Sequence, residues 1–242
     1  MAAAMKRNSS IGKSVFAVLV MLGMVGDGRA EAQAAIDVHM NLAGASNTKC
    51  NALPGVICYW QQAQSNFVRK IALTNSAVNG STASGFDLDF IHRVRPYYDK
   101  RFKYNILTVQ LGGNDILSDA KGDATFGHLK SIAAKWKALG KGTFVVVATV
   151  PRFGYSTGQL LEADRLNPLI LSEPSFDATF DIASIRNLDQ GDACPPSHLS
   201  PDCSHLTTEG NSLVAPLFAG AVNSVLSSEY GRSRKATSGL AR

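Results

Sequence analysis

The sequence predicts a three-layer α/β/α sandwich on a mainly parallel sheet of about five strands. Three observations predict it. Short apolar runs alternate with amphipathic stretches along most of the chain, which is the rhythm of strand–helix–strand units. Two runs, YNILTVQL from Tyr104 to Leu111 and TFVVVATV from Thr143 to Val150, are almost continuously apolar, as strands covered on both faces are. A chain of 242 residues without an internal repeat suits one domain with a sizeable core.

The elements follow in order. AIDVHMNLA, Ala35 to Ala43, alternates in part and stops at Gly44, which gives a first strand. Trp60, Ala63, Phe67, Val68 and Ile71 fall near helical spacing, so Tyr59 to Ala72 reads as a helix and Leu73 to Val78 as a short second strand. Gly85 to Val94 fits a short helix with Phe86, Phe90 and Ile91 on one side. After the strand at Tyr104, Phe126 to Gly140 is an amphipathic helix with a glycine stop. Pro151 ends the strand begun at Thr143. Thr157 to Leu171 is helical, with an interruption expected at Pro168, and Ala178 to Ile185 is a further strand. The last helix begins near Thr207, capped by Thr207 or Thr208, with a kink expected at Pro216. The long turn-rich stretch DQGDACPPSHLSPDC, Asp189 to Cys203, is a loop of the functional kind.

The ends carry different signals. Lys6, Arg7 and Lys13 precede an apolar run, Ser14 to Gly26, that is too short to span a bilayer comfortably, and small residues follow at Ala30 to Ala34. Residues 1–34 therefore read as a cleaved signal peptide, and residues 35–228 as the folded domain of a secreted or periplasmic protein. No other apolar run is long enough to span a membrane. Residues 229–242, GRSRKATSGLAR preceded by Glu229 and Tyr230, are polar and aperiodic and read as a disordered basic tail. The net charge of +5 is partly carried by those two ends, and no basic stripe interleaved with aromatics marks a nucleic-acid surface. The four cysteines, Cys50, Cys58, Cys194 and Cys203, form an even set suited to disulfides in an exported chain. Of three possible pairings the local one, Cys50–Cys58 with Cys194–Cys203, would staple two loops; the spacings lack the C-x-x-C pair of a zinc site.

In such a sheet, ligands sit beyond the carboxyl ends of the strands, and several polar residues fall there. Ser46 follows the first strand, Gly80 the second (NSAVNGST) and Asn114 the third (QLGGNDIL). Asp202 and His205, in PDCSHLTTEG, lie just before the last helix. Singly, each is an ordinary turn or cap residue. Together they match one chemistry. A serine hydroxyl needs a base to take its proton, and His205 can be that base. A carboxylate three residues earlier can fix the imidazole tautomer. The Ser46 and Gly80 N–H groups and the Asn114 amide can be fixed donors for an oxyanion.

Ser, Gly, Asn and His in that order, with Asp three before His, resembles the SGNH hydrolases, also called the GDSL-type esterase/lipase family. The likeness runs from Ile36 to about Leu226. GGND is similar to that family's third block and DCSHLTTEG to its last; AVNGST is a looser match to the second. The resemblance implies a flavodoxin-like sheet and an ester hydrolase acting through an acyl-enzyme, without metal or organic cofactor. It implies Ser46 as nucleophile, Asp202 and His205 as its triad partners, and Ser46, Gly80 and Asn114 as the oxyanion hole. The first block departs from the pattern: Gly44-Ala45-Ser46 stands where Gly-Asp-Ser is usual. Gly26-Asp27-Gly28 would make a damaged first block, but it lies inside the signal-like run and leaves too long a connection before Trp60. A monomer acting on a small-molecule, lipid or glycan ester is expected. Acetylated carbohydrate, lysophospholipid and aryl ester remain open as substrates. The alternatives are an inactive binding domain on the same fold and a metal-dependent hydrolase using Asp202, His205 and His198. Phe153 to Gly158 and Pro196 to Cys203 are expected to border the pocket.

Overall fold

The sheet is set by apolar alternation on parallel strands. In a computed structural model that describes residues 36–186, 188 and 197–238, β1 (Val38–Gly44), β2 (Ile71–Asn75), β3 (Tyr104–Gln110), β4 (Thr143–Ala148) and β5 (Ala178–Phe180) form one parallel sheet. The order is β2-β1-β3-β4-β5, the doubly wound arrangement of a three-layer sandwich. The predicted signal segment and Cys194 lie outside the described residues.

Period-two alternation sends side chains to two separate cores. Val38, Met40, Leu42, Ile106, Val146 and Ala148 face one, closed by the C-terminal helix with Val214, Phe218 and Val222. Leu107, Val109, Val145 and Val147 face the other, closed by Phe86, Phe90, Ile132, Trp136 and Leu166. The helices are α1 (Ser46–Lys49), α2 (Tyr59–Gln62), α3 (Ala83–Leu88), α4 (Phe90–Arg93), α5 (Gly113–Leu117), α6 (Gly122–Lys137), α7 (Thr157–Ser172) and α8 (Thr208–Ser238). Aromatic rings tie α2 and β5 to α8: Phe218 meets Tyr59 edge-on at 5.1 Å and Phe180 at 5.4 Å.

Several elements differ from expectation, each for a physical reason. The helix expected from Tyr59 to Ala72 ends at Asn66, after a 3-10 turn, because Ile71 pairs with Val38 as the start of β2. The helix expected over Gly85 to Val94 is broken at Asp89 into α3 and α4, and Ile91 is exposed while Phe86 and Phe90 are buried. Gly140 does not stop α6, whose cap is Ala138; the positive-φ glycine is Gly142, at +72°. Helix α7 runs through Pro168 to Ser172 from a capping box between Ser156 and Gln159, so one missing N–H does not end it. Strand β5 stops at Phe180, where a 3-10 turn, Ile182–Ser184, begins. Thr207 caps α8 by accepting from the Gly210 N–H at 3.1 Å, and the helix continues past Pro216 and past 228, where a disordered tail was expected. Propagation beyond a packed nucleus is easier than initiation, which lets a polar segment extend a helix. Two elements have no signal in the periodicity, the short α1 and α5 that follow β1 and β3. Among the described residues no helix is long and apolar enough to cross a membrane.

One face of β1 is polar. His39 and Asn41 are buried there, and Thr74 Oγ1 lies 3.1 Å from His39 Nε2. Burial holds the His39 imidazole below its usual 6.5, against the raising influence of Asn105 and Asp99 and alongside the lowering influence of Arg101.

Two outcomes test this architecture. Phe218→Ala, which empties the aromatic contact beneath α8, should lower the unfolding free energy by about 3–5 kcal/mol in urea titration. The unfolded chain protonates His39 more readily than the folded one, so stability is fully present above pH 6.5 and falls as pH drops toward the depressed folded value. Urea midpoints between pH 7 and pH 5 should therefore decline less in His39→Gln than in the wild type.

Candidate active site

A pocket of about 460 Å³ opens at the carboxyl ends of β1 to β4. Ser46, Gly80, Asn114 and His205 all line it, although they come from four separate segments. The register explains the convergence. Leu42 of β1 pairs with Asn75 of β2, and Gly44 pairs with Gln110 of β3, so three chains leave the sheet at one level. The ladder continues beyond β2: Ser76 N–H and Val78 N–H donate to Leu42 O and Gly44 O, both at 3.0 Å. That carries the chain to Gly80 alongside the turn that bears Ser46.

Ser46 is the first residue of α1, and Cys50 closes this single turn at φ +63° with its N–H on Ser46 O at 2.9 Å. Thr48 fixes the turn. It is fully buried, its hydroxyl bonds Tyr59 OH and Gln110 Oε1, and its carbonyl accepts from Trp60 Nε1 at 3.1 Å and Asn75 Nδ2 at 2.9 Å. Gly44 is required by this packing, because a Cβ there would lie 2.2 Å from Thr48 Oγ1. Ala45 packs its methyl against the second core. Cys50 is disulfide-bonded to Cys58, with Cα atoms 6.0 Å apart. Cys203 is also disulfide-bonded, and its expected partner Cys194 lies outside the described residues.

Gly80 has φ +70°, and a Cβ there would meet nothing within 4 Å. Glycine is therefore required by the backbone conformation and not by crowding. Gly112 combines both constraints: φ is +109°, and a Cβ would lie 2.9 Å from Val150. It starts α5 and so places Asn114, whose Nδ2 donates one hydrogen to Ser81 O at 2.9 Å. The amide has a second hydrogen to offer the pocket. Asp115 is buried beside it and accepts from Ala83 N at 2.7 Å and Ser84 N at 3.2 Å, tying α5 to the start of α3.

His205 Nδ1 lies 2.6 Å from Asp202 Oδ2, which leaves Nε2 as the nitrogen available to the pocket. Asp202 Oδ1 accepts from Ser200 Oγ, from Ser204 N at 2.9 Å and from His205 N at 3.3 Å. Burial alone would raise the Asp202 carboxyl, but the donors from Ser200, Ser204 and His205 outweigh it and hold the group well below the usual carboxylate range. Among the described residues Ser46 Oγ has no hydrogen-bond partner; Ser46 and His205 both line the pocket. His198 is bonded to Ser197 instead, and among the described residues no three His, Cys, Asp or Glu side chains group as metal ligands.

Of the segment expected to border the pocket from Phe153 to Gly158, Phe153, Gly154 and Tyr155 do. Of that expected from Pro196 to Cys203, residues 197–203 do not and Pro196 lies outside the described residues, the lining being Ser204 and His205 instead. Burial raises the Tyr155 phenol, with the Asp115 charge adding to it, so the group is neutral at physiological pH. Sequence reasoning missed Asn47, Thr48, Asn79 and Asp115, since none of them lies on a periodic pattern.

No family model and no curated protein matches the chain. Solved structures do. TesA superposes with a TM-score of 0.59 at 14% identity, covering 77% of this chain and 99% of its own. The acetylxylan esterase Axe2 from Geobacillus stearothermophilus gives 0.61 at 15%, covering 78% and 94%. A member of the lipolytic protein G-D-S-L family from Veillonella parvula gives 0.58 at 15%, covering 74% and 95%. At these identities the likeness is one of fold.

Gly80→Ala should leave the pocket uncrowded but force a non-glycine residue to φ +70°. The expected cost is about 1–2 kcal/mol of stability, read from denaturant unfolding; an unchanged midpoint would contradict the assigned backbone.

Proposed function

We propose that this chain, which has the three-layer fold of the G-D-S-L-type esterases, is a serine ester hydrolase working through an acyl-enzyme. The single observation that carries the reading is the pairing of Asp202 with a His205 that lines the same pocket as Ser46, Gly80 and Asn114.

The chemistry follows from those positions. His205 accepts the Ser46 proton at Nε2 as Oγ bonds to the acyl carbon. Asp202, ionised at neutral pH, steadies the imidazolium through Nδ1–H. The carbonyl oxygen becomes an oxyanion, and Ser46 N–H, Gly80 N–H and the free Asn114 amide hydrogen are donors set before the reaction begins. Collapse breaks the bond to the alcohol, which takes the proton from His205. A water then gives its proton to His205 and attacks the acyl carbon, releasing the acid and restoring Ser46.

The pocket supports a carboxylic ester with a small or flat acyl part. Leu111, Val150 and Phe153 give it an apolar side, and Asn79, Ser81 and Thr149 supply polar groups. Export is part of the reading: the predicted signal segment and the bonded cysteines suit an oxidising compartment.

Ser46→Ala should lower turnover of a short-chain p-nitrophenyl ester by about 10⁴-fold or more and abolish labelling by a fluorophosphonate, with an unchanged melting temperature. A wild-type protein that neither hydrolyses the ester nor takes the label would instead be an inactive binding domain on this fold.

A further inference from the structure

We propose that Asn47 is a positioning residue that holds His205 over Ser46. The inference rests on the esterase reading for its kinetic consequence, and on two hydrogen bonds for its geometry. Asn47 Nδ2 donates to Ser204 O at 3.1 Å, and Asn47 Oδ1 accepts from Leu206 N at 2.9 Å. The two partners flank His205 in sequence. One planar amide thus grips the backbone on both sides of the imidazole-bearing residue, as a neighbouring strand would.

Asn47 is also the residue next to Ser46 on α1, so the grip ties base to nucleophile directly. The loop has other restraints, but they lead elsewhere. Ser200 N donates to His205 O at 2.8 Å, and Leu199 bridges Leu206, which fixes the loop to itself. Asn211 donates to Leu206 O and to Thr207 O, which fixes it to α8. Asp202 orients the ring but belongs to the same loop. Among the described residues, Asn47 makes the only hydrogen bonds between α1 and residues 197–207. It spans 157 and 159 residues of sequence, so no local structure can replace it. Ala45, on the other side of Ser46, has only a methyl to offer.

A residue with this role should act on the rate of bond making and leave substrate binding nearly alone. A shift of the base by about 1 Å costs on the order of 10²-fold in rate. The test compares wild type, Asn47→Ala and Asn47→Asp on p-nitrophenyl acetate, with amide hydrogen exchange at Leu206 measured in parallel. Asn47→Ala should lose about 10- to 100-fold in kcat with KM changed less than about twofold, and its Leu206 amide should exchange faster. Asn47→Asp keeps an acceptor for Leu206 but has no hydrogen for Ser204 O. It should keep most of the Leu206 protection, lose an intermediate amount of kcat, and decide the matter where the alanine variant does not fold. Asn223→Ala is the control. Asn223 makes a similar pair of bonds, from Val68 N and to Asn66 O, far from the pocket. It should cost stability without moving kcat. Equal kcat in wild type and Asn47→Ala, or equal loss in the Asn223 control, would overturn the proposal. Should the wild type prove inactive, the esterase reading falls separately; unchanged Leu206 exchange in Asn47→Ala would then still refute the latch.

Discussion

The register of β1 between β2 and β3 is the constraint on which the rest of the molecule depends. Parallel strands that end level with one another deliver three loops to a single rim. A slip of one residue would turn Val38, Met40 and Leu42 out of their core and carry Ser46 away from the level of Gly80 and Asn114. The two buried cores resist that slip, because every side chain on β1 would change face at once. Packing on both sides of the sheet therefore fixes the geometry of residues that lie outside it.

Beyond the strands, conformation is held by backbone chemistry more than by apolar contact. Gly80 and Gly112 occupy positive φ, which sets where the next N–H or side chain points. Thr48 and Asp115 are buried polar groups with their bonds filled, and each ties one short helix to a neighbouring segment. A half-exposed site gains its rigidity in this way. Asn114, which lines the pocket, is held by its bond to Ser81 O and by Asp115 beside it. Such preorganisation is what the stabilisation of a developing oxyanion requires.

The acidic side of the site is built with the same economy. Asp202 gathers donors from Ser200, Ser204 and His205 within its own loop, so its charge is compensated locally. The loop is anchored by Asn211 on α8 and by Asn47 on α1. Two asparagines, each able to donate and accept through one rigid plane, join the loop to α8 and to α1. The close approach of Gly154 to the same loop, where a Cβ would lie 2.8 Å from Cys203 O, closes the remaining side.

The sequence by itself determined the layers, the strands and the polar residues at the carboxyl ends, because alternation, apolar runs and turn residues are local signals. Tyr104 to Gln110 and Thr143 to Ala148 were legible for that reason. Order along the chain singled out Ser46, Gly80, Asn114, Asp202 and His205 as candidates, four of which, all but Asp202, line one pocket. Only the tertiary structure decided where helices stop, since Ile71 leaves a helical pattern to pair with Val38, and Ile91 leaves an apolar one for solvent. It also decided the supports. Asn47 meets Ser204 and Leu206 across most of the chain, and Asp115 meets Ala83 across 32 residues. Contacts of that span leave no period or spacing in a sequence, because they are selected by where the folded sheet sets its loops and not by the neighbours of the residue that makes them.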